Sequence, residues 1–220
     1  MKDVRLHAYW RSSCSWRVRL MLRLKGIDFA VVPVHLVKGE QRQGGYSALN
    51  PMQQVPTLEW TGDDGERRVM GQSLAMAVFL DRVAPEPPLV PAEPLAAARA
   101  WELAEIVNAG IQPLQNSATL KLVEDLGGDR HAHASIVIRK GLAAMERLAQ
   151  TLNSEGFLFG DHPSIVEVCL VPQLYNARRF GLDVAAFPRL LSAEAACASL
   201  PAFEAAHPDV QPDTPENPTP

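Results

Sequence analysis

The first signal along the chain is alternation. Val4, Leu6 and Ala8 alternate with polar neighbours in VRLHAY (4–9), the period of a half-buried strand. The period then changes. Trp16, Leu20, Met21 and Leu24 recur at helical spacing and Gly26 stands where a helix stops, so 15–25 is predicted as a helix although WRVRL also alternates. Residues 27–36 (IDFAVVPVHL) regain strand character, and Pro33, which cannot donate to a ladder, puts this strand at a sheet edge. Residues 38–45 (KGEQRQGG) carry no apolar pattern and are predicted as loop. LNPMQQVPTLEW gives a turn and a strand at 57–60, TGDDGE a hairpin turn and RRVM its return strand. A helix follows from Gly71-Gln72-Ser73, with Leu74, Val78 and Leu80 as its apolar positions.

This order, βαβ and then ββα, is thioredoxin-like. PEPPLVPAEP (85–94) holds five prolines and reads as a linker. Beyond it the apolar spacing is helical throughout, over 95–113, about 115–126, 132–153, 164–180 and about 189–199. Ser164 to Glu167 fits a capping box before the run VCLVPQL. The last ten residues, QPDTPENPTP, hold four prolines and little apolar content, and read as disordered or pinned to the surface. The expected architecture is an α/β thioredoxin-like N-terminal domain (1–84), the linker (85–94), an all-α C-terminal domain (95–210) and a flexible tail (211–220).

Composition narrows the function classes. The chain has 220 residues, 47% of them hydrophobic, enough for a substantial core. A net charge of −4 argues against a general nucleic-acid binder. No apolar run approaches the roughly 20 residues of a membrane span. The start, MKDVRLHAYWRSS, lacks a signal-peptide pattern, and the three cysteines (Cys14, Cys169, Cys197) are sparse, so a cytoplasmic protein is expected. Residues 1–26 nevertheless carry seven basic side chains (Lys2, Arg5, Arg11, Arg17, Arg19, Arg23, Lys25) against Asp3. Most of these read as a solvated helix face. A local positive potential for an anionic ligand is the sharper reading, and Arg11, at a strand-to-helix turn, is best placed for it.

That turn also carries Ser12, Ser13 and Cys14. A loop entering a helix presents unpaired amides and the positive end of the helix dipole, which stabilise a carboxylate or a thiolate. The plain alternative is that the serines cap the helix. Cys14 has Arg17, not a second cysteine, three residues on, so the motif holds no resolving thiol, and a monothiol mechanism stays open. Cys169 and Cys197 lie in apolar helical contexts and read as core residues. In Gln54-Val55-Pro56-Thr57 a cis Val55–Pro56 bond would turn the Val55 backbone outward, where it could pair with a peptide-like ligand. Gln72 and Ser73 open the next helix, as caps or as donors to a carboxylate. Together the three places suggest a tripeptide with a thiol and two carboxylates. His131 and His133 are spaced i, i+2, unsuited to a metal pair, and no metal is expected.

RSSCSWRVRL resembles the signature of the zeta class of glutathione transferases, the maleylacetoacetate isomerase family. LKGIDF, ALNPMQQVPTLE, GQSLA, GIQPLQN, LVPQLYNARRF and HPDVQPDTP stand where that family has similar strings, so the resemblance spans nearly the whole chain. It implies a homodimer that uses glutathione. It implies that Ser12, Ser13 and Cys14 meet the glutathione sulfur and that Val55, with Pro56, pairs with its cysteinyl backbone. Gln72 and Ser73 would hold the γ-glutamyl end, with Gln41 near the glycyl end. Gln112, Asn116 and Ser117 would approach from the helical domain, and Arg179, with Arg11 in support, would meet a substrate carboxylate. The implied reaction is cis–trans isomerisation of maleylacetoacetate to fumarylacetoacetate, in tyrosine and phenylalanine breakdown, by thiolate addition, bond rotation and elimination. Alternatives are a maleylpyruvate isomerase, favoured by Arg178 beside Arg179, a general zeta-class transferase, and a non-catalytic assembly module.

Overall fold

The computed structural model describes residues 1–152 and 154–216. They divide into two units, Met1–Pro87 together with the segment that begins at Pro201, and Pro88–Leu200.

The first unit is built on β1 (Lys2–Ala8), α1 (Ser13–Leu24), β2 (Ala30–Pro33), α2 (Gly44–Leu49), β3 (Thr57–Thr61), β4 (Arg67–Gly71) and α3 (Ser73–Val83). The sheet order is β2-β1-β3-β4, with β1 and β2 parallel and both β3 pairings antiparallel. Val4, Leu6 and Ala8 of β1 are buried, as their alternation requires. β2 lies at the edge, as Pro33 demands, but spans four residues rather than all of 27–36. Residues 38–45 are not plain loop. They form short 3-10 turns, Leu36–Lys38 and Glu40–Arg42, and enter α2, which Tyr46 anchors by burial. On α3, Leu74, Met76, Ala77 and Leu80 face inward, whereas Val78 is 47% exposed, so the sequence assigned it to the wrong face. Hydrophobicity alone does not orient a helix whose mean character is apolar on most sides.

The basic residues of α1 also depart from expectation. Arg17 and Arg19 are buried, and the Lys25 ammonium is held by Asp81 at 2.6 Å and by the Pro85 and Pro87 carbonyls at 3.3 and 2.6 Å. They are not a solvated face. Backbone carbonyls replace water around Arg19, and a carboxylate and two carbonyls replace it around Lys25.

The second unit is helical: α4 (Pro94–Glu105), α5 (Gln112–Gln115), α6 (Ser117–Asp125), α7 (Arg130–Ala149), α8 (Ile165–Arg179) and α9 (Pro188–Ala198). The helix expected over 95–113 is broken by a π-helical turn, Ile106–Ile111. Pro113 is the cause on sequence grounds: it lacks the N–H that would continue the ladder and its ring crowds the preceding turn. Gly141 of α7 permits close approach there, since a Cβ at that position would lie 2.3 Å from Ile111 Cγ1. α7 starts two residues before the expected 132, capped by Asp129. α8 carries the expected capping box, and Cys169 and Cys197 are buried in the core.

The segment that begins at Pro201 groups with the first unit by its contacts. From there α10 (Pro201–Ala206) and a 3-10 turn, Pro208–Val210, pack with the first unit. Phe203 and Ala206 are buried, Trp16 meets His207 edge-on at 5.1 Å, and Arg19 donates to the Ala206 carbonyl at 3.0 Å. The described part of the tail is tied down too. Gln211 is buried and donates to the Ala205 and His207 carbonyls at 3.1 and 2.8 Å. Residues 217–220 lie outside the described residues.

Candidate active site

Sheet register converges four segments of the first unit. His7 pairs with Thr57, and Thr57 with Gly71. The exit of β1 toward Ser12, the entry to β3 from Val55-Pro56, and the exit of β4 toward Gln72-Ser73 therefore share one edge of the sheet. β2 is parallel to β1 and exits there as well, into the turns that carry Gln41. This is the carboxyl edge of three strands, where open sheets bind ligands. A small apolar cluster of Tyr9, Trp10, Val34, Tyr46 and Val55, with Leu36 against it, joins three of these segments, the exits of β1 and β2 and the entry to β3, with α2.

Ser12 is the N-cap of α1, and its Oγ accepts from the Ser15 amide at 3.2 Å. The capping reading and the ligand reading are compatible, because the hydroxyl proton is still available for donation. Ser13 is the first helical residue and is buried; Cys14 follows and is half-buried. Arg11 stacks over the Trp10 ring at 5.3 Å.

The Val55–Pro56 peptide is cis. The loop before it is held by two residues that sequence reasoning passed over. Asn50 donates to the Gln54 carbonyl at 2.7 Å and to Thr57 Oγ1 at 3.1 Å, and accepts from the Met52 amide at 3.0 Å. The Tyr46 hydroxyl donates to the same Gln54 carbonyl at 2.5 Å, and burial raises its pKa. The Asn50-Pro51 dipeptide, a turn initiator, was the available signal for Asn50.

Gln72 is the N-cap of α3, exposed, with φ at +67°. A non-glycine residue in that region is uncommon and costs on the order of 1–3 kcal/mol, a strain that clusters at binding sites. Ser73 is buried, and its Oγ accepts from Arg17 Nη1 at 3.5 Å. Gln41 brings Oε1, a buried acceptor with no hydrogen-bond partner among the described residues.

In the helical unit, Gln112 opens α5 and Asn116 caps α6, accepting from the Thr119 amide at 2.9 Å and donating to the Pro113 carbonyl at 2.8 Å. Ser117 is exposed. Gln115 and Gln173, both buried, exchange hydrogen bonds at 2.7 and 3.1 Å and tie α5 to α8. Arg179 ends α8, with Nη1 on Asn176 Oδ1 at 3.2 Å. Arg178 is engaged elsewhere: it holds Glu194 of α9 through both nitrogens at 2.6 and 2.5 Å.

The family models for the glutathione S-transferase N-terminal domain and C-terminal domain match residues 11–83 and 128–208. Maleylacetoacetate isomerase of Pseudomonas aeruginosa is 41% identical over 217 residues, covering 96% of this chain and 99% of its own. The chain belongs to the zeta class of glutathione transferases, the maleylacetoacetate isomerase family. Among solved structures of the family, maleylacetoacetate isomerase from Anaeromyxobacter dehalogenans with glutathione in its active site has a TM-score of 0.88 at 46% identity, over 97% of this chain and 98% of its own. The same protein has also been solved with dicarboxyethyl glutathione and citrate in the active site. A zeta-class maleyl pyruvate isomerase has a TM-score of 0.88 at 36% identity, over 95% of this chain and 99% of its own. Among the described residues, no helix is long and apolar enough to cross a membrane, and no group of three or more His, Cys, Asp or Glu side chains is placed to hold a metal ion.

Proposed function

We propose that this chain catalyses the glutathione-dependent cis–trans isomerisation of maleylacetoacetate to fumarylacetoacetate, a step of tyrosine and phenylalanine breakdown. The observation that carries the reading is the convergence of the Ser12-Ser13-Cys14 turn, the cis Val55–Pro56 loop and the Gln72-Ser73 helix start on one sheet edge. The donor set fits glutathione. The amides and hydroxyls at the starts of α1 and α3 suit a thiolate and a carboxylate, and Gln41 offers a buried acceptor still to be matched. Bound there, glutathione supplies a thiolate that adds to the activated double bond and leaves once that bond has turned.

The chain's own residues do the rest. Ser12 donates its hydroxyl to the sulfur, and the first amides of α1, at Ser13 and Cys14, favour negative charge beside it. The Val55 backbone, with Pro56 fixing its direction, pairs with the peptide. Gln72 and Ser73 hold the γ-glutamyl carboxylate. Gln112, Asn116 and Ser117 are further glutathione contacts by resemblance, and Arg179, supported by Arg11, takes a substrate carboxylate. No tuned general base is needed. The protein acts in the cytoplasm, consistent with three free cysteines, and as a homodimer of about twice the 24.1 kDa chain mass, which sedimentation would measure.

Maleylpyruvate isomerisation is the second reading, supported by the similarity to the maleyl pyruvate isomerase structure. Parallel kinetics with both diacids decide between them: a higher kcat/KM for maleylacetoacetate is expected. S-methylglutathione tests the role of the thiol. It keeps every group that Val55, Gln72 and Ser73 would hold, so it should compete with glutathione and support no turnover. Sustained turnover with it alone would transfer the chemistry to Cys14.

A further inference from the structure

The returning C-terminal segment reaches the catalytic turn itself. Tyr9 to Ser12 form a tight turn closed by the Ser12 amide on the Tyr9 carbonyl at 3.0 Å. Trp10 is at its bend, and both backbone polar groups of Trp10 are taken by side chains from outside the turn. Its amide donates to Asp213 Oδ2 at 2.8 Å. Its carbonyl accepts from Arg19 Nη2 at 2.9 Å, and Arg19 Nε is anchored on the Ala206 carbonyl. The guanidinium is almost fully buried. Burial lowers its pKa to about 10, and the Asp213 carboxylate acts in the opposite sense. Gln211 and the Thr214 amide, which donates to the Gln211 carbonyl at 3.1 Å, fix the loop that carries Asp213. Withdrawing a guanidinium from water to end on two backbone carbonyls, of Trp10 and Ala206, is a costly arrangement if the segment serves packing alone, since apolar side chains would do that with less desolvation.

We propose that Asp213 and Arg19 are positioning residues for the isomerisation: they clamp Trp10 from both sides and so fix where Ser12 presents its hydroxyl to the glutathione sulfur. The inference rests on the reading of Ser12 given above. Ser12 is two residues beyond the clamped one, and its Oγ also caps α1. A turn free to shift would keep that cap and lose its aim on the sulfur, and small misplacements of a reacting group are expensive in rate.

The test uses the full-length chain with glutathione bound. It compares wild type with Asp213→Ala, Asp213→Asn, Ser12→Ala and the Ser12→Ala/Asp213→Ala double variant. Turnover, KM for glutathione and the apparent pKa of the bound thiol, followed by thiolate ultraviolet absorbance, are measured for each, with thermal melting to confirm folding. Asp213→Ala should lower kcat by about tenfold to a hundredfold, raise the thiol pKa and leave KM for glutathione near its original value. Asp213→Asn keeps an acceptor for the Trp10 amide and should recover most of the loss. In the double variant, losing Asp213 should add almost nothing to losing Ser12. A folded Asp213→Ala with wild-type kcat and thiol pKa overturns the clamp while leaving the Ser12 reading in place, and so do fully additive losses. A wild-type-like Ser12→Ala overturns the site reading and the clamp with it. Should Asp213→Ala not fold, Arg19→Lys carries the same expectations, since an ammonium keeps the charge but lacks the fork that spans Trp10 and Ala206.

Discussion

Ser12 and Cys14 stand two residues apart, on either side of the point where α1 begins. Ser12 lies outside the helix with extended backbone, its hydroxyl directed over the first turn. Cys14 is already helical and half-buried. A hydroxyl donated to a charged sulfur is worth about 1.5–3 kcal/mol, so Ser12→Ala should slow turnover by roughly tenfold to a hundredfold and Cys14→Ala by much less. A dead Cys14→Ala beside a near-normal Ser12→Ala would reverse the assignment. The arginine pair resolves in the same way. Arg178 is committed to Glu194, an exposed bidentate pair worth about 1 kcal/mol or less. Arg179→Lys, which keeps charge but loses the planar fork, should therefore raise KM for the diacid and leave glutathione affinity unchanged. Arg178→Ala should alter neither KM. An unchanged diacid KM in Arg179→Lys would remove Arg179 from the site. Ser12, Ser13, Cys14, Val55, Gln72 and Ser73 were legible in the sequence as candidates, because each is adjacent to a strand or helix end, where unpaired amides are a local property. Asp213 was not legible, because its partner is Trp10, some two hundred residues away in the chain.

Elements with a local stop or start signal were readable to within a residue or two. Gly26 adopts φ of +63°, which ends the α1 region as its position suggested. The Ser164–Glu167 box opens α8, and its structure explains why it matters. Glu167 is fully buried and accepts from the Leu158 amide at 2.7 Å, the Ser164 amide at 2.8 Å and the Ser164 hydroxyl at 2.7 Å. Glu167→Ala strands two buried amides and should cost about 2–5 kcal/mol. That loss would register as a lower denaturant midpoint at unchanged slope, with normal turnover per folded molecule. A midpoint within experimental error of wild type would show that water or another group replaces the carboxylate. The π-helical turn before α5, α2 and α10 were missed for a common reason. Each is short, and short segments carry too few residues for a period to show, while their stability comes from Ile111, Tyr46 and Phe203 being buried by distant elements.

At the scale of the whole molecule, the sheet carries one acid-sensitive contact. Glu59 is lowered to about 2, first by the hydrogen bond from Arg67, against the opposing effect of burial, and then by His7. The contacts are 2.6 Å to Arg67 Nε and 2.9 Å to His7 Nε2. A carboxylate held below its unfolded value of about 4.3 stabilises the fold above that pH, and the contribution is lost as pH falls toward 2. Glu59→Gln should therefore lower stability at neutral pH and flatten its decline between about pH 4 and pH 2, read from urea midpoints across that range. A decline as steep as that of wild type would place the acid sensitivity elsewhere. The sequence by itself determined the order of elements, the proline-rich break between the two units and the three amide-rich turns, since periodicity, capping and backbone chemistry are written within a few residues of each other. Only the tertiary structure decided that Arg17, Arg19 and Lys25 are buried cations, that Val78 faces water, and that the segment from Pro201 returns to the first unit to grip Trp10. The burial of Arg19 and Lys25 depends on carbonyls and a carboxylate supplied from far along the chain, and no local pattern encodes which distant group will replace water around a charge.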